Sequence, residues 1–395
     1  MPTAPKRQPH GRWVRASGGY RAYVPDPLPP PIAWDAGLAT ALSAADRAVG
    51  RLAGEGRRLP NPHLLIHPFV RREAALSSRI EGTQATLGEL LAAEAGAAVA
   101  RSPADLREVG NYVAALEYGI ARLRTLPLSL RLVRELHEKL TRGVRGDAAT
   151  PGRFRRSQNW IGPAGATLAK ASFVPPPPDR LRDCLDAWEG FLHDDTLPPL
   201  VHAALVHSQF EAIHPFLDGN GRVGRLLTTL LLVARDVLPS PLLYLSAYFE
   251  ATRPEYYARL SGVTARGEWE EWLRYFLVGA AGQAEDALDR TRRIDDLLAR
   301  WREQLAKAAS RLPERALELF VENPFWTVNK LATRLGVAFT SAQRAIDRLE
   351  TAGIVALTGE AKRNRVYCAR AILEILEEPP KLAEAQNARR QDRRR

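Results

Sequence analysis

Cysteine and long apolar runs are both scarce in this chain of 395 residues. Its two cysteines, Cys184 and Cys368, form no Cys-x-x-Cys pattern, which excludes a disulfide framework and a structural zinc site. The longest candidate apolar run, residues 226–234, is far shorter than the roughly 18 residues that a membrane-spanning helix needs. Residues 1–20 lack the apolar stretch of a secretory signal. The sequence therefore predicts a cytoplasmic protein with no membrane partner.

The charge balance is basic, with 56 lysines and arginines against 45 aspartates and glutamates. Such a balance favours acidic partners, for example nucleic acid or the phosphates of a nucleotide. The basic residues are spread along the sequence, and part of the excess lies in residues 388–395, which are typical of a solvated, disordered tail. Composition therefore indicates a class of partner but no site.

Most of the sequence has the periodicity of helices. Residues 1–33 are rich in Pro, Gly and Arg and predict an irregular arm. From residue 34 onward, apolar side chains recur at intervals of three and four, as on one face of a helix. The predicted helices are 34–55, 64–81, 103–124, 129–141, 180–193, 199–213, 220–236, 254–265 and 268–308.

One segment interrupts these helices. Residues 153–178 contain two short extended runs on either side of a Gly-Pro-Ala-Gly sequence, followed by four prolines. This pattern predicts a small β-hairpin over residues 157–174.

A separate unit is predicted near the C-terminus. Three helices precede two short strands there, which is the order of a winged helix-turn-helix domain. The third helix and the basic turn after it would contact DNA through residues 339–365. An equal alternative to DNA binding is that this unit contacts another protein, for example a second copy of the chain in a homodimer.

The segment most informative about chemistry, residues 214–225, reads His-Pro-Phe-Leu-Asp-Gly-Asn-Gly-Arg-Val-Gly-Arg and joins two apolar helices. Asp218 or Asn220 can cap the second helix, and glycines 219 and 221 let backbone N–H groups turn inward because no Cβ is in the way. Amides grouped at the positive end of a helix bind anions, above all phosphate. The segment therefore predicts a phosphate site.

Two arginines support this prediction. Arg222 and Arg225 lie one turn apart in the first turn of the second helix, where the helix dipole disfavours cations. Their placement is explained if several negative charges bind between them, as in a triphosphate. The alternative is an ordinary helix start whose arginines pair with surface carboxylates.

His214 and Asp218 complete the constellation. A carboxylate beside a polyphosphate is a natural ligand for Mg²⁺, which takes few protein oxygens and shares those of the phosphates. A histidine across the loop can accept the proton of an attacking hydroxyl, because its ordinary pKa is about 6.5. Positioning and charge neutralisation of this kind are what phosphoryl-type transfer requires of a protein.

Residues 214–225 match every specified position of the Fic (filamentation induced by cAMP) motif, His-x-Phe-x-Asp/Glu-Gly-Asn-Gly-Arg-x-x-Arg. The resemblance covers roughly residues 35–310. It implies an all-α fold: a Fic-type helical bundle with a small β-hairpin flap, to which the winged helix is added. Fic proteins mostly use ATP to attach AMP to Ser, Thr or Tyr hydroxyls of proteins. The resemblance thus implies a protein adenylyltransferase that uses ATP and Mg²⁺.

The same resemblance implies a role for each residue of the motif. His214 would be the catalytic base, Phe216 the anchor of the loop and Asp218 the Mg²⁺ ligand. The target protein would dock on hairpin 157–174 by strand addition. The other ATP-binding residues would be Gly219, Asn220, Gly221, Arg222, Arg225 and, for adenine, Tyr257.

The assignment of Tyr257 rests on a second short run. Residues 256–260 read Tyr-Tyr-Ala-Arg-Leu, which resembles a Tyr-Tyr-x-x-Leu sequence found in many Fic proteins after the motif. Where some of those proteins add an asparagine, this chain has Thr264.

An inhibitory element is predicted at residues 76–83, Leu-Ser-Ser-Arg-Ile-Glu-Gly-Thr. Ser77 and Glu81 lie four residues apart on one helix face, and Gly82 permits the helix to end. The run resembles the inhibitory helix of Fic proteins, Ser/Thr-x-x-x-Glu-Gly/Asn. It implies that Glu81 pairs with Arg225 and leaves ATP at the wrong angle for in-line attack.

Two other functions stay open. A Fic enzyme that uses another nucleotide donor, or that removes AMP, fits the same residues. A DNA-binding regulator whose Fic domain only senses nucleotide is disfavoured, because a sensor needs no base at His214. The predicted domains are an irregular arm (1–33), an N-terminal helical region with the inhibitory helix (34–100), a Fic catalytic domain (101–282), a connecting helix (283–310), a winged helix-turn-helix domain (311–372) and a basic tail (373–395).

Overall fold

The computed structural model describes residues 9–58, 62–144, 150–163, 165–306, 310–359 and 364–381. The helices are α1 (Ala36–Arg58), α2 (Pro62–Ile80), α3 (Leu87–Ala95), α4 (Pro103–Arg122), α5 (Leu130–Thr141), α6 (Pro178–Leu192), α7 (Pro199–Ile213), α8 (Asn220–Ala234), α9 (Ser246–Ala251), α10 (Arg253–Arg266), α11 (Trp269–Leu305), α12 (Leu312–Glu322), α13 (Val328–Leu335), α14 (Phe339–Thr351) and α15 (Arg370–Glu377). The strands are β1 (Gly11–Arg15), β2 (Arg21–Pro25), β3 (Phe325–Thr327), β4 (Ala356–Thr358) and β5 (Val366–Cys368). The predicted helical fold is confirmed.

Three helices were absent from the sequence prediction. Helices α3, α9 and α15 have nine, six and eight residues, which is too short for a 3.6-residue period to stand out. Helix α3 still carries a local signal, because Thr86 and Glu89 form a capping box at its start. Helix α15 buries Ile372 and Leu376. The predicted start of the tail at residue 373 therefore falls inside a packed helix, and the remainder, 382–395, lies outside the described residues.

Helices α7 and α8 lie at the centre of the fold. Helix α7 is buried on nearly all sides, which explains why its sequence is apolar all round and shows no polar stripe. Helix α11 runs along α1 and also contacts α7. No helix among the described residues is both long and apolar enough to cross a membrane. Because α7 and α8 are packed so closely, the loop between them starts and ends on rigid elements.

The N-terminal arm is not irregular as predicted. Strands β1 and β2 pair in an antiparallel hairpin, with Trp13 opposite Tyr23. An isolated hairpin is marginal in water, so it needs a surface to pack on. Here the rings of Trp13 and Tyr23 contact Phe173, and Tyr23 N donates to Val174 O at 2.9 Å. The prolines that follow dominated the sequence pattern, and the packing partner was too distant in sequence to be foreseen.

The predicted hairpin over residues 157–174 is reduced to one antiparallel bridge, Ile161 with Phe173. Pro163 has no N–H to extend a ladder, and a 3₁₀ turn at Leu168–Lys170 shapes the return. Trp160 Nε1 donates to Ala166 O at 2.7 Å and closes the bend. We call residues 157–174 the flap segment.

The C-terminal unit contains α12, α13 and α14 with a three-stranded antiparallel sheet in the order β3-β5-β4. The inner face of α14 is buried, as its sequence pattern predicted, and Arg344 and Arg348 are exposed. The order of helices and strands agrees with the predicted winged helix, and that assignment stays a prediction. The unit's contact with DNA, or with a second copy in a homodimer, also stays a prediction, and the basic turn residues 360–363 lie outside the described residues.

Helix α2 is packed between the central helices and the C-terminal unit. It contacts α4, α8 and α9 on one side and α12 on the other. Nδ1 of His67 in α2 donates to Glu322 O at 3.1 Å, and Asn323 Nδ2 donates to Leu91 O of α3 at 3.2 Å. Apolar side chains of both parts belong to one continuous core.

A buried arginine fastens α15 to the rest of the fold. Arg290 of α11 is 1% exposed, bonds Asp286 through Nε at 2.8 Å, and donates to the carbonyls of Ile375 and Glu378. Asp286 also lies 3.7 Å from Arg72 of α2. The Arg290 guanidinium thus connects α11 with α15, and its partner Asp286 adds a contact with α2.

We expect Arg290→Met to destabilise the protein by about 3–5 kcal/mol, because Asp286 and two carbonyls lose a buried partner. Chemical denaturation followed by circular dichroism measures the loss. Arg293→Met is the matched control, since Arg293 pairs with Glu378 near the surface and should cost less than about 1 kcal/mol. Equal losses in the two variants would contradict this assignment.

Candidate active site

The loop between α7 and α8 begins and ends in left-handed backbone. His214 has φ 49° and ψ 61°, and Gly219 has φ 79° as the N-cap of α8. The predicted capping by Asp218 or Asn220 is wrong: no side chain caps α8. Asp218 Oδ1 instead accepts from Gly219 N at 2.6 Å, and Asn220 turns back to Phe216. The start of α8 is therefore left open to an anion.

Phe216 fastens the loop to the core. Its ring is fully buried and stacks on His137 of α5, with ring centroids 3.7 Å apart. Its backbone N–H donates to Asn220 Oδ1 at 2.8 Å, and its carbonyl accepts from Asn220 Nδ2 at 2.8 Å. The side-chain amide of Asn220 thus stabilises the loop through two hydrogen bonds to the backbone of Phe216.

His137 supports the loop from beneath in a fixed tautomer. Its Nδ1 accepts from Gly152 N at 2.9 Å, so the ring proton is on Nε2, which donates to Asp218 O at 3.0 Å. Burial lowers the pKa of His137 to about 4. The ring is therefore neutral near pH 7, as both bonds require.

His214 is prepared to accept a proton. Its Nδ1 lies 3.3 Å from Glu211 O, and since a carbonyl only accepts, Nδ1 carries the ring proton and Nε2 holds the lone pair. Burial lowers the pKa of His214 to about 4, and the nearby Arg155 acts in the same direction. The imidazole is thus neutral near pH 7.

Arg225 is held by α2. It is 3% exposed and donates from Nε to Ser77 Oγ at 2.8 Å and from Nη2 to Ser77 O at 2.9 Å. Nη2 also donates to Glu81 Oε1 at 2.7 Å. Burial opposes both charges, yet the mutual attraction lowers the pKa of Glu81 and raises that of Arg225. The structure thus pairs Glu81 with Arg225, as the resemblance to the Fic inhibitory helix implied, and adds Ser77 as a further partner of the guanidinium.

The Glu81 carboxylate lies at the start of α8. A Cβ added at Gly221 would meet Glu81 Oε1, which shows that this glycine leaves the space that the carboxylate fills. Gly82 follows with φ 100°, and Thr83 N donates to Ser78 O at 3.1 Å to close the end of α2. A negative group already lies where the helix dipole favours one.

Arg222 has a different partner from Arg225. Its guanidinium is 2% exposed and pairs with Glu108 of α4, while Asp218 lies 4.0 Å away. The two arginines therefore bind different helices. Like Arg225, Arg222 already has a carboxylate partner, and that partner is on α4. Glu108 was not singled out in the sequence, because its partner lies more than a hundred residues away.

Tyr257 of α10 is 43% exposed, with the Arg253 guanidinium 5.7 Å from its ring centroid. Partial burial and the charge of Glu81 raise the pKa of Tyr257. Tyr256 is buried instead and contacts His207. Thr264 is 8% exposed and donates to its own helix at Ser261 O.

Two residues missed by the sequence analysis hold His214 from the flap side. Arg155 Nε and Asn159 Nδ2 both donate to His214 O, at 2.9 and 3.1 Å. Both belong to a polar run that was interpreted only as the start of a hairpin. A sequence pattern gives no sign that such residues are buried.

Family models match most of the region that builds this loop. A model described as Fic/DOC family N-terminal matches residues 39–121, and one described as Fic/DOC family matches residues 127–232. Residues 39–121 and 127–232 thus belong to the Fic/DOC family. The N-terminal match passes our predicted domain boundary at residue 100.

Curated Fic relatives are similar over part of this chain. It is 36% identical over 129 residues to the protein adenylyltransferase Fic of Drosophila virilis and 35% identical to that of Drosophila yakuba. The matched residues cover 32% of this chain but only 24% of each relative's length. The crystal structure of a Fic family protein from Desulfovibrio desulfuricans G20 has a TM-score of 0.59 at 20% identity, covering 87% of this chain and 98% of that one. At 20% identity, this similarity shows that the two proteins share a fold and nothing about a shared activity.

We expect Asn220→Ala to lower the free energy of unfolding by about 1–3 kcal/mol, because the Fic loop then has a buried Phe216 N–H without an acceptor. Denaturant titration measures the change. Gln343→Ala removes an exposed amide and should stay within about 0.5 kcal/mol. A cost for Asn220→Ala no larger than that of the control would show that the amide does not brace the loop.

Proposed function

We propose that this chain is a protein adenylyltransferase, which transfers AMP from ATP to a Ser, Thr or Tyr hydroxyl of a protein and is restrained by Glu81. The observation that carries the proposal is the anion position at the start of α8, over Gly221, beside a neutral His214. The names of the Drosophila relatives support the same activity.

In this proposal the nucleotide phosphates take the place of the Glu81 carboxylate. Amides of the first turn of α8, at Gly219, Asn220 and Gly221, would stabilise charge on the α-phosphate. Arg225 would bind the outermost phosphate once Glu81 releases it. Arg222 would stabilise the outer phosphates by its positive charge while it stays paired with Glu108, or it would leave Glu108 and bind a phosphate directly. Tyr257 would contact the adenine ring.

Mg²⁺ fits the residues present. The Asp218 side chain is 49% exposed and commits Oδ1 to Gly219 N, which leaves an oxygen directed to solvent. One carboxylate is sufficient for Mg²⁺ that shares phosphate oxygens. The ion would neutralise charge on the departing phosphates when it is bound.

The transfer step follows from the tautomer of His214. Nε2 would take the proton of the target hydroxyl as its oxygen bonds to the α-phosphorus, and the bond to pyrophosphate would break. AMP then becomes esterified to the target, and the proton stays on the imidazole. The flap segment would hold the target chain beside His214 by main-chain pairing.

Restraint by Glu81 follows from competition for one guanidinium. While Glu81 holds Arg225, the outermost phosphate lacks its cation, and the α-phosphate is not aligned with the incoming hydroxyl. Helix α2 supplies Ser77 as a second contact, so the inhibitory element acts as one unit. Gly82 lets the chain turn away after Glu81.

We expect Glu81→Gly to raise AMP transfer at least about tenfold, since a small misplacement of reacting groups costs a large factor in rate. Mass spectrometry of protein incubated with ATP and Mg²⁺ measures the adenylate added, and parallel incubations with other nucleotides identify the donor. Glu81→Gly with His214→Ala should add none.

Glu250→Gln is the matched control for this prediction. Glu250 lies 3.7 Å from Arg79 of α2, so the variant removes a carboxylate near the same helix without touching Arg225. Its transfer rate should equal that of the unaltered protein. If Glu81→Gly is no faster than this control, the restraint is absent; if no nucleotide is transferred at all, the proposed function is wrong.

We expect Asp218→Asn, in the Glu81→Gly protein, to raise the Mg²⁺ concentration for half-maximal transfer by about tenfold or more, because an amide lacks the charge that holds a hard cation. Titration of Mg²⁺ at saturating ATP measures the shift. Asp236→Asn, at the other end of α8, is the control and should leave the titration unchanged. Identical curves for the two variants would remove Asp218 from the metal site.

A further inference from the structure

Arg155 is a buried cation whose guanidinium bonds are all to main-chain carbonyls. It is 3% exposed, and within the part of the chain that the structure describes no carboxylate pairs with it. Nε donates to His214 O at 2.9 Å and Nη2 to Pro176 O at 2.6 Å. Weaker bonds reach Ile213 O at 3.4 Å and Ser157 O at 3.3 Å.

These carbonyls belong to two parts of the structure, the end of α7 and the residues at and after the flap segment, whose relative position Arg155 fixes. Ile213 and His214 supply the last carbonyls of α7, which have no partner within the helix. Ser157 is the first residue of the flap segment, and Pro176 lies two residues after its last one. The backbone N–H of Arg155 adds a bond to Pro215 O at 2.9 Å. Arg155 thus joins the end of α7 and the loop after it to the start of the flap segment and to the residues that follow it.

A buried positive charge costs more free energy than a neutral donor would when its only partners are carbonyl groups. Burying a guanidinium without a carboxylate is costly, and the negative end of the α7 dipole offsets only part of that cost. A neutral amide can serve the same carbonyl, as Asn159 does at 3.1 Å. Hydrogen bonding alone therefore does not explain why the donor at this position, Arg155, is charged.

We propose that Arg155 is the positioning residue for the His214 base: its bonds to main-chain carbonyls fix the left-handed backbone of His214 against the flap segment. Its positive charge also acts, together with burial, against protonation of the imidazole. Asn159 completes the hold on the same carbonyl. This inference rests on the adenylyltransferase function proposed above.

The charged groups around His214 explain why such a cation is useful. After burial itself, Arg155 on the flap side acts to lower the pKa of His214, whereas Glu81 of α2 and Asp218 of the loop act to raise it. The carbonyl of Glu211 also favours the protonated ring through its bond to Nδ1. Arg155 thus acts with burial against two carboxylates that favour an imidazolium, which has no lone pair to accept a proton.

Two substitutions separate geometry from charge. Arg155→Lys retains a cation but cannot reach carbonyls on both elements, because its ammonium lacks the planar fork. In the Glu81→Gly protein at pH 8 it should lower kcat about tenfold or more, with KM for ATP within about twofold. Arg155→Met removes the charge too, so the acid limb of its pH–rate profile should also move to higher pH.

A second measurement does not depend on activity. The pKa of His214 can be followed by NMR of its ring carbon proton, assigned by its loss in His214→Ala. It should rise in Arg155→Met and change little in Arg155→Lys. Arg235→Lys is the matched control, because Arg235 also donates to carbonyls at a helix end, those of Leu192 and Asp194, far from the loop. Its rate and the pKa of His214 should equal those of the parent protein.

If Arg155→Met does not fold, Asn159→Ala replaces it, with kcat expected to fall several-fold at an unchanged pKa of His214. The inference is overturned if Arg155→Lys turns over as fast as the parent, or if the pKa of His214 is the same in Arg155→Met. Failure of the Glu81→Gly parent to transfer any nucleotide would instead reject the proposed function, and the NMR titration would still decide whether Arg155 acts on His214.

Discussion

The ion pair between Glu81 and Arg225 at the start of α8 is the contact on which the site depends. The Arg225 guanidinium is 3% exposed, and the carboxylate that supplies its counter-charge lies over Gly221, where the helix dipole also favours an anion. Any other anion that binds here must replace Glu81 and satisfy the same guanidinium. In the function that we propose, the nucleotide and α2 therefore compete for one place.

Around this contact the fold supplies two fixed histidines and a braced loop. His137 and Asn220 hold the loop from below and within, and Arg155 holds it from the flap side. His214 therefore presents Nε2 from a backbone that several independent bonds define. Since α2 itself is packed against the C-terminal unit through His67 and its apolar neighbours, the position of Glu81 is tied to that unit as well.

Much of this was predictable from the sequence, and the reasons are physical. Long amphipathic helices and the twelve-residue motif carry local signals, so the helical fold and the loop with His214 could be predicted. The pairing of Glu81 with Arg225 was implied by the resemblance of residues 76–83 to the Fic inhibitory helix. The N-terminal hairpin, the pairing of Arg222 with Glu108 and the role of Arg155 were not predicted. Each depends on a partner far away in sequence, and polar residues that become buried look the same in a sequence as exposed ones.

The central claim is that the Glu81 carboxylate stands where a nucleotide phosphate binds. The most direct test is a crystal structure of the Glu81→Gly protein with Mg²⁺ and an ATP analogue that cannot be cleaved. We predict the outermost phosphate within hydrogen-bond distance of the Arg225 guanidinium and the α-phosphate at the first turn of α8, facing Nε2 of His214. A nucleotide bound elsewhere, with Arg225 contacting no phosphate, would contradict the account.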